Sequence, residues 1–311
     1  MRISAGCVIG VLLSACLLGV LPVDAGALIL FEDDFEGDSL DLGKWDVVCT
    51  DEYRLGVTYF CLTPSVSDGK AILKHQTWNP NPYSDDPGFH ALGTEIRSEL
   101  YFLPSAGEPI ELEATVRVGD LADGQVTSFF AYMQKMMGSA YWNDEVDFEF
   151  LSNQINHPVD PSGHQVWLAT YDDFHGAWND CLYLDPATHC SANPVVPGLD
   201  LHNLNLFKIR WSTDRVEWFV NNVIVGSTDD MPESVVPDEP INLRFNFWGC
   251  NDPSWPEACD PSFQPAERPD ENHEYYYELS RVVVKVTPEP STALLLACGL
   301  ASLALRRQLA S

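Results

Sequence analysis

Residues 141–150, YWNDEVDFEF, decide the fold that we predict for this sequence. Three acidic residues, Glu145, Asp147 and Glu149, stand at every second position, and a Val or Phe follows each of them. Because successive side chains of a β-strand point to opposite faces, the acids would share one face and the apolar side chains the other. The stretch therefore predicts a strand with one face in a core and three crowded carboxylates on the other face.

Short strands are predicted along the rest of the chain as well. Residues 216–225 indicate a β-hairpin with a tight turn at Asn221 and Asn222. Long helical periodicity is missing, and residues 200–205 have room for about one turn. Other period-two runs, bounded by Gly, Pro, Asn and Asp, lie at residues 70–74, 110–118, 207–211 and 281–286. This pattern predicts an all-β fold, a two-sheet antiparallel β-sandwich of the jelly-roll type.

We expect one domain over residues 28–287, because no low-complexity linker and no internal repeat divides this segment. Three stretches rich in Pro and Asp, residues 78–92, 172–200 and 250–272, predict long loops. Long ordered loops on a sandwich are where binding surfaces usually form.

The N-terminal segment, residues 1–27, is typical of a cleaved signal peptide. It begins with Arg2, continues into an apolar run and closes with a small-x-small pattern at residues 25–27. A lipoprotein box at residues 13–16 is disfavoured, because the apolar run continues past Cys16. The segment predicts an exported protein.

The C-terminal segment, residues 288–311, combines Pro-Glu-Pro, an apolar run over residues 293–305 and an Arg-Arg pair. The apolar run is shorter than the roughly 20 residues that a membrane-spanning helix needs. This arrangement resembles the PEP-CTERM sorting signal of Gram-negative bacteria. The resemblance implies processing by an exosortase-type enzyme and a location at the cell envelope or outside the cell. An ordinary short C-terminal anchor is the alternative.

Six cysteines lie between these two segments and form three local couples. An even number of cysteines in an exported chain favours disulfides. We predict the local pairing, although six cysteines allow fifteen connectivities. Zinc is disfavoured, because no couple has CxxC spacing and the eight histidines are scattered. The predicted couples are Cys49 with Cys61, Cys181 with Cys190, and Cys250 with Cys259.

The charge of the chain limits its partners. It has 46 acidic and 17 basic residues, a formal net charge of −29 and a pI near 4.3. This excess argues against binding to nucleic acid or to anionic membranes, and a neutral or cationic ligand fits better. The alternative is that the charge only keeps an exported protein soluble.

Two carboxyl groups near one sugar ring can cleave a glycosidic bond. Cleavage with retention needs them about 5 to 5.5 Å apart. The Cα atoms of Glu145 and Glu149 would be roughly 13 Å apart on a strand, and their side chains could lean together across a bound sugar. Asp147, between them, could hydrogen-bond the nucleophile. Alternating acids would also suit a solvated sheet face or a calcium site.

The acidic motif and several further segments resemble glycoside hydrolase family 16, whose signature is E-[aliphatic]-D-[apolar]-E. The similar segments are residues 31–45, 93–98 (GTEIRS), 206–226, 240–248 and 276–286. The resemblance implies a concanavalin A-like jelly roll with an open cleft, in which Glu145 is the nucleophile, Glu149 the acid/base and Asp147 the assisting carboxylate. It implies retaining, endo-acting hydrolysis of a β-linked polysaccharide of the β-glucan type. The single residue between Asp147 and Glu149 resembles the branch without a β-bulge, which holds lichenases and xyloglucan-active enzymes.

The likeness to lichenases extends to a set of substrate-binding residues. Two positions depart from it: Asn143 stands where lichenases have Trp, with Trp142 one residue earlier, and Ala169 stands where they have a cleft Asn. The resemblance therefore does not extend to the specificity of lichenases for mixed-linkage β-1,3-1,4-glucan. The residues implied to bind substrate are Glu95, Arg97, Ser128, Phe130, Tyr132, Trp142, Tyr171, Asn246 and Trp248.

Simpler interpretations exist for these side chains. A single aromatic residue is more often part of a sheet core than a sugar platform. Glu95 and Arg97 could be a plain cross-strand ion pair. We assign Trp211 and Trp218 to the core, and Trp255 is either a cleft aromatic or a loop anchor.

The resemblance implies that no cofactor is required, although a structural calcium ion is possible, with Glu32 and Asp33 as its candidates. We expect a monomer. One rival function is a transglycosylase, in which a sugar hydroxyl replaces water in the second step. The other is a glycan-binding surface protein without turnover, which would have no need for three crowded acids.

Overall fold

The alternating stretch of residues 141–150 lies in a β-strand, as predicted. This strand, β9, runs over Ala140–Leu151. Its apolar face, formed by Val146, Phe148 and Phe150, is fully buried. The strand pairs on both sides without a register shift over residues 145–149, so no bulge breaks the alternation of its two faces.

The computed structural model describes residues 27–50, 57–79, 89–137, 140–174, 189–231 and 235–287. Its described elements are almost all strands, with one short helix and two 3₁₀ turns at Thr228–Asp230 and Pro269–Glu271. The elements are β1 (Leu28–Asp33), β2 (Trp45–Val47), β3 (Thr58–Phe60), β4 (Ser65–Ser67), β5 (Lys70–Gln76), β6 (Ala91–Phe102), β7 (Ile110–Arg117), β8 (Gln125–Met137), β9 (Ala140–Leu151), α1 (Ser152–Asn156), β10 (Gly163–Gln165), β11 (Trp167–Phe174), β12 (His189–Ala192), β13 (Val195–Pro197), β14 (Asn205–Trp211), β15 (Val216–Val220), β16 (Val223–Ser227), β17 (Ile241–Gly249) and β18 (Glu274–Val286).

Two antiparallel sheets form the sandwich, and β6 connects them. The first sheet has the order β12-β11-β9-β8-β17-β6, with β2 on the other side of β6. The second has the order β5-β18-β7-β14-β15-β16 and meets β6 through the pair Gln76 and Leu92. The predicted all-β jelly-roll sandwich is confirmed, with β9 inside the first, curved sheet.

The core lies between the two sheets and fixes β9. The ring of Phe207 on β14 packs against Phe148 and Phe150, with centroid distances of 5.2 and 4.8 Å. The buried indole of Trp218 on β15 donates a hydrogen bond of 2.8 Å to the backbone carbonyl of Asp147. Trp218 and Trp211 are fully buried, so their assignment to the core is confirmed.

The predicted hairpin is also present. β15 and β16 pair across Asn221 and Asn222, both of which have positive φ, 49° and 65°. Asn tolerates this backbone region better than most residues, which explains the choice of Asn at both positions. Residues 200–203 form a turn, and the described helix lies instead at Ser152–Asn156.

Two of the three predicted disulfides are formed. Cys49 is bonded to Cys61 and Cys250 to Cys259. The third predicted couple is wrong, because Cys190 is a buried free thiol. It pairs with Thr170 of β11, whose hydroxyl lies 3.0 Å from the thiol. Its side chain thus points into the interior of the protein. Cys181 lies outside the described residues.

The predicted signal and sorting segments, apart from Ala27, lie outside the described residues, and both remain predictions. Among the residues that the structure does describe, none of the helices has the length and apolar character needed to cross a membrane.

We expect Trp218→Phe to lower the free energy of unfolding by about 1–3 kcal/mol, because it removes the indole N–H that donates to the Asp147 carbonyl in the buried core. It should also speed hydrogen exchange of the backbone amides of β9. The control is Trp45→Phe. Trp45 lies on β2, four strands away from β9, and its indole donates a hydrogen bond to Asp33. Equal exchange rates in β9 for both variants would contradict a specific role of Trp218 in holding this strand.

Candidate active site

The three acids of β9 project from the face of the sheet that is turned away from the core. Asp147 is 3% exposed, while Glu145 and Glu149 are half-buried. The amide of Asn143, on the same face of the strand, donates a hydrogen bond of 3.3 Å to Glu145 Oε2. The two outer carboxylates are thus the accessible members of the trio.

Strand register places the other side chains of this face in rows across the sheet. The neighbours of Glu145 are Tyr171, Tyr132 and Asn242. The neighbours of Asp147 are Ala169, Phe130, Arg244, Arg97 and Asp46. The neighbours of Glu149 are Trp167, Ser128, Asn246 and Glu95. We call this surface the acidic face.

Most of the predicted substrate-binding residues therefore lie on the acidic face. Trp142 does not, because the alternation of β9 places it on the opposite face with Asp144 and Val146. A sugar contact of Trp142 is not supported by this position. Asn143, not Trp142, shares the face of the carboxylates.

The predicted polar pair, Glu95 and Arg97, is split between two partners. Arg97 binds Asp46 through its Nε and Nη2, at 2.9 and 2.6 Å from Asp46 Oδ2. Arg244 Nη1 donates to Glu95 Oε1 at 2.9 Å. Each residue thus makes an ion pair to a neighbouring strand.

Trp248 lies in a cluster of aromatic residues at one end of the acidic face. Its side chain is only 4% exposed. Trp255, in the loop that Cys250 and Cys259 close, packs between Trp248 and Trp167, with centroid distances of 6.2 and 6.3 Å. Trp255 thus anchors its loop and also borders the face. Phe130 is likewise buried, at 3% exposure. A binding role for these rings remains a prediction.

Comparison with known families identifies this arrangement. The sequence model of glycosyl hydrolases family 16 matches residues 90–260, more than half of the chain. The matched segment contains the whole trio of β9. The chain belongs to glycosyl hydrolases family 16. By its family it is a glycoside hydrolase.

Solved structures of glucanases share the fold. The β-glucanase of Bacillus licheniformis is 17% identical, with a TM-score of 0.55, covering 85% of this chain and 99% of that one. An endo-β-1,3-glucanase from Pyrococcus furiosus is 16% identical, with a TM-score of 0.55 and coverages of 83% and 94%. An endo-1,3-β-glucanase from Streptomyces sioyaensis is 13% identical, with a TM-score of 0.58 and coverages of 85% and 98%. Comparison of the sequence with curated proteins gives no significant match.

Four residues of the acidic face in this family 16 domain escaped the sequence analysis: Asp46, Trp167, Asn242 and Arg244. Their positions follow from register with distant strands, which sequence alone does not give. The sequence does contain one indication for β17. Four residues lie at every second position of this strand, as the acids of β9 do, and therefore share one face: Asn242, Arg244, Asn246 and Trp248.

The two calcium candidates are engaged within the protein. Asp33 accepts hydrogen bonds from the backbone N–H of Phe35 and from the indole of Trp45, at 2.9 and 2.7 Å. Glu32 accepts one from Arg281 at 2.5 Å. These contacts give both carboxylates a structural use, and calcium at this place remains a prediction.

A second acidic cluster lies behind the trio. Carboxylate oxygens of Asp144, Asp172 and Asp238 are within 4.8 Å of one another. Asp144 accepts hydrogen bonds from the backbone N–H groups of Asp173, Asp238 and Glu239 at 2.9, 3.3 and 3.0 Å. This carboxylate ties the start of β9 to the end of β11 and to the segment before β17.

The burial and crowding of these acids raise the pKa values of two of them. Burial raises the pKa of Asp144, and the three N–H donors oppose the rise. Burial, with the nearby charges of Asp144 and Asp238, raises the pKa of Asp172 to about 6. The folded protein therefore holds a proton on Asp172 more tightly than an unfolded chain does.

The raised pKa of Asp172 predicts a dependence of stability on pH. Below pH 3.8, the ordinary pKa, Asp172 is protonated in both the folded and the unfolded chain and does not reduce stability. Its ionisation in the folded protein lowers the free energy of unfolding progressively as the pH rises, and the full reduction is reached above about pH 6. We expect Asp172→Asn to increase the free energy of unfolding at pH 7.5 by on the order of 1 kcal/mol, a value discounted for partial solvation. At pH 4 the gain should nearly vanish.

Urea unfolding between pH 4 and pH 8 measures this gain. Asp270→Asn serves as the control, since Asp270 lies in the exposed 3₁₀ turn Pro269–Glu271. The explanation fails if both variants change stability equally, or if the gain from Asp172→Asn is independent of pH.

Proposed function

We propose that this family 16 protein is a retaining, endo-acting hydrolase of a β-linked, glucan-type polysaccharide. The observation that carries the proposal is the position of Glu145, Asp147 and Glu149 on one face of a strand whose other face is locked into the core. Double displacement needs one carboxylate as nucleophile and one as acid/base, and Glu145 and Glu149 are the two accessible members of the trio.

In the first step, Glu145 attacks the anomeric carbon and forms a glycosyl ester as the glycosidic C–O bond breaks. Glu149 donates its proton to the leaving oxygen. Asp147, held by its buried backbone between the two, orients the nucleophile. Asn143, at 3.3 Å from Glu145 Oε2, steadies the same carboxylate from the other side.

In the second step, Glu149 takes a proton from water as the water oxygen attacks the anomeric carbon. The ester bond to Glu145 breaks, and the sugar leaves with its original configuration. Two inversions thus give net retention. An acceptor sugar hydroxyl in place of water would give transglycosylation.

The glucan assignment and the location are parts of the proposal. The solved structures with the same fold include glucanases, and the unbroken register of β9 fits the branch without a bulge. Two disulfides favour an oxidising compartment. We include in the proposal the signal peptide, the PEP-CTERM-type tail, its exosortase-type partner and a monomeric state.

The first test measures reducing-sugar release by the domain of residues 28–287 from lichenan, laminarin, xyloglucan, agarose and carrageenan. We expect turnover of an uncharged β-glucan, and kcat lower by about 10²–10⁴-fold in Glu145→Gln and in Glu149→Gln. The control is Glu113→Gln on β7, where Glu111 and Glu113 also alternate but lie in the other sheet and pair with Lys285.

The second test assigns the roles with an activated aryl glycoside and azide. In Glu149→Ala, azide should attack the glycosyl ester and give a product of retained configuration. In Glu145→Ala, azide should attack the substrate directly, so a single inversion gives the opposite anomer. NMR of the products distinguishes the two, and a reversed pattern would overturn the assignment.

The rival functions have their own outcomes. Longer oligosaccharides formed from added acceptor, at the expense of hydrolysis, would identify a transglycosylase. Glycan binding with negligible release by wild type and by Glu145→Gln would identify a binding protein.

A further inference from the structure

Arg244 occupies the middle of the acidic face, and the sequence did not indicate it as a substrate-binding residue. It lies on β17, in the same row as Asp147, with Phe130 of β8 between them. Two strand spacings separate it from β9, about 10 Å. Its side chain is 11% exposed, so it reaches the surface of the face while most of it is enclosed.

Three neighbours hold the guanidinium in place. Its Nη1 donates to Glu95 Oε1 at 2.9 Å, and its Nε donates to Asn242 Oδ1 at 2.8 Å. Its central carbon lies 4.5 Å from the centroid of the Tyr132 ring. A planar cation fixed by an ion pair, an amide and an aromatic face has lost most of its side-chain freedom before any ligand arrives.

The fixed guanidinium keeps hydrogen-bonding capacity. Arginine has five N–H donors, and the contacts with Glu95 and Asn242 use two of them. The others can donate to hydroxyl oxygens of a sugar on the acidic face. A rigid fork of donors suits two adjacent hydroxyls better than a flexible lysine would.

The charges around Arg244 restrict the kind of sugar. Glu95 offsets the charge of Arg244, and Asp46 offsets that of Arg97. The trio of β9 adds only acids to the same face. A sulfate or carboxylate on the sugar would meet no net positive charge here and would be repelled by the trio.

We propose that Arg244 is a specificity-determining residue, which donates hydrogen bonds to hydroxyls of an uncharged sugar unit about 10 Å from β9. Glu95, Asn242 and Tyr132 position it, and the balance of charge excludes sulfated and uronic sugars. This inference deepens the proposed function and rests on it for the identity of the acidic face as the cleft.

The variants must separate sugar recognition from stability. Arg244→Met alone leaves Glu95 charged and buried, which could unfold the protein. The test variant is therefore the double change Arg244→Met with Glu95→Gln, which removes both charges. The matched control is Arg210→Met with Glu217→Gln, which removes an ion pair of 3.5 Å between β14 and β15 in the other sheet. Arg244→Lys keeps the positive charge but loses the planar arrangement of guanidinium N–H donors.

The first measurement is kcat/KM for uncharged β-gluco-oligosaccharides of increasing length. In the wild type, kcat/KM should rise when an added sugar reaches Arg244. The double variant should lose about 10–100-fold on these longer substrates, mainly through KM, and the loss should be largest on substrates long enough to reach Arg244. Arg244→Lys should give kcat/KM values between those of the wild type and of the double variant. The control variant should match the wild type.

The second measurement does not require turnover. Calorimetry in the Glu145→Gln background should show binding of an uncharged gluco-oligosaccharide, weaker by at least tenfold when Arg244 and Glu95 are also changed. A sulfated galactan oligosaccharide of equal length should not bind. If the wild type hydrolyses nothing, the proposed hydrolase fails while this binding measurement still tests Arg244.

Three outcomes would overturn the role of Arg244: unchanged kcat/KM at every length together with unchanged binding, an equal loss in the control pair, or binding of the sulfated oligosaccharide. Absence of binding by every oligosaccharide would overturn it too.

Discussion

The two faces of β9 cannot be exchanged, and the site depends on this constraint. Phe207 packs on Phe148 and Phe150, and the Trp218 indole holds the Asp147 carbonyl, so the apolar face is fixed toward the second sheet. A slip of one residue would bury Glu145 and Glu149 and expose the phenylalanines. The free energy of core packing therefore orients the carboxylates, which on their own would repel one another.

The other charged residues around the trio are arranged so that few charges stand alone. Asp144 meets three backbone N–H groups behind the trio. Arg244 and Glu95 form a pair in which the carboxylate is almost wholly enclosed. Such pairs contribute little to stability once desolvation is counted, but they hold side chains in defined places. Because these pairs are neutral, the three acids of β9 leave the face with excess negative charge.

Much of the fold could be predicted because its signals are local. The alternation in β9 and the Asn221-Asn222 turn each need only a few neighbouring residues. The bonds of Cys49 with Cys61 and of Cys250 with Cys259 close short loops, so proximity in sequence sufficed. The same reasoning failed at Cys190, because the register of β12 against β11 turns its thiol inward beside Thr170. The sugar contact that family likeness implied for Trp142 stays a prediction without support from the fold, because the alternation of β9 places this residue on the other face.

The sequence by itself determined that three carboxylates share one face of a strand, since side-chain direction alternates along any β-strand. Only the tertiary structure decided what surrounds them. Glu95 and Arg244 are 149 residues apart in sequence, and Asp46 and Arg97 are 51 apart. Their meeting depends on which strands pair and in which register, and that choice is made by packing across the whole sandwich. No local pattern records it, because the free energy that selects the register is spread over the core.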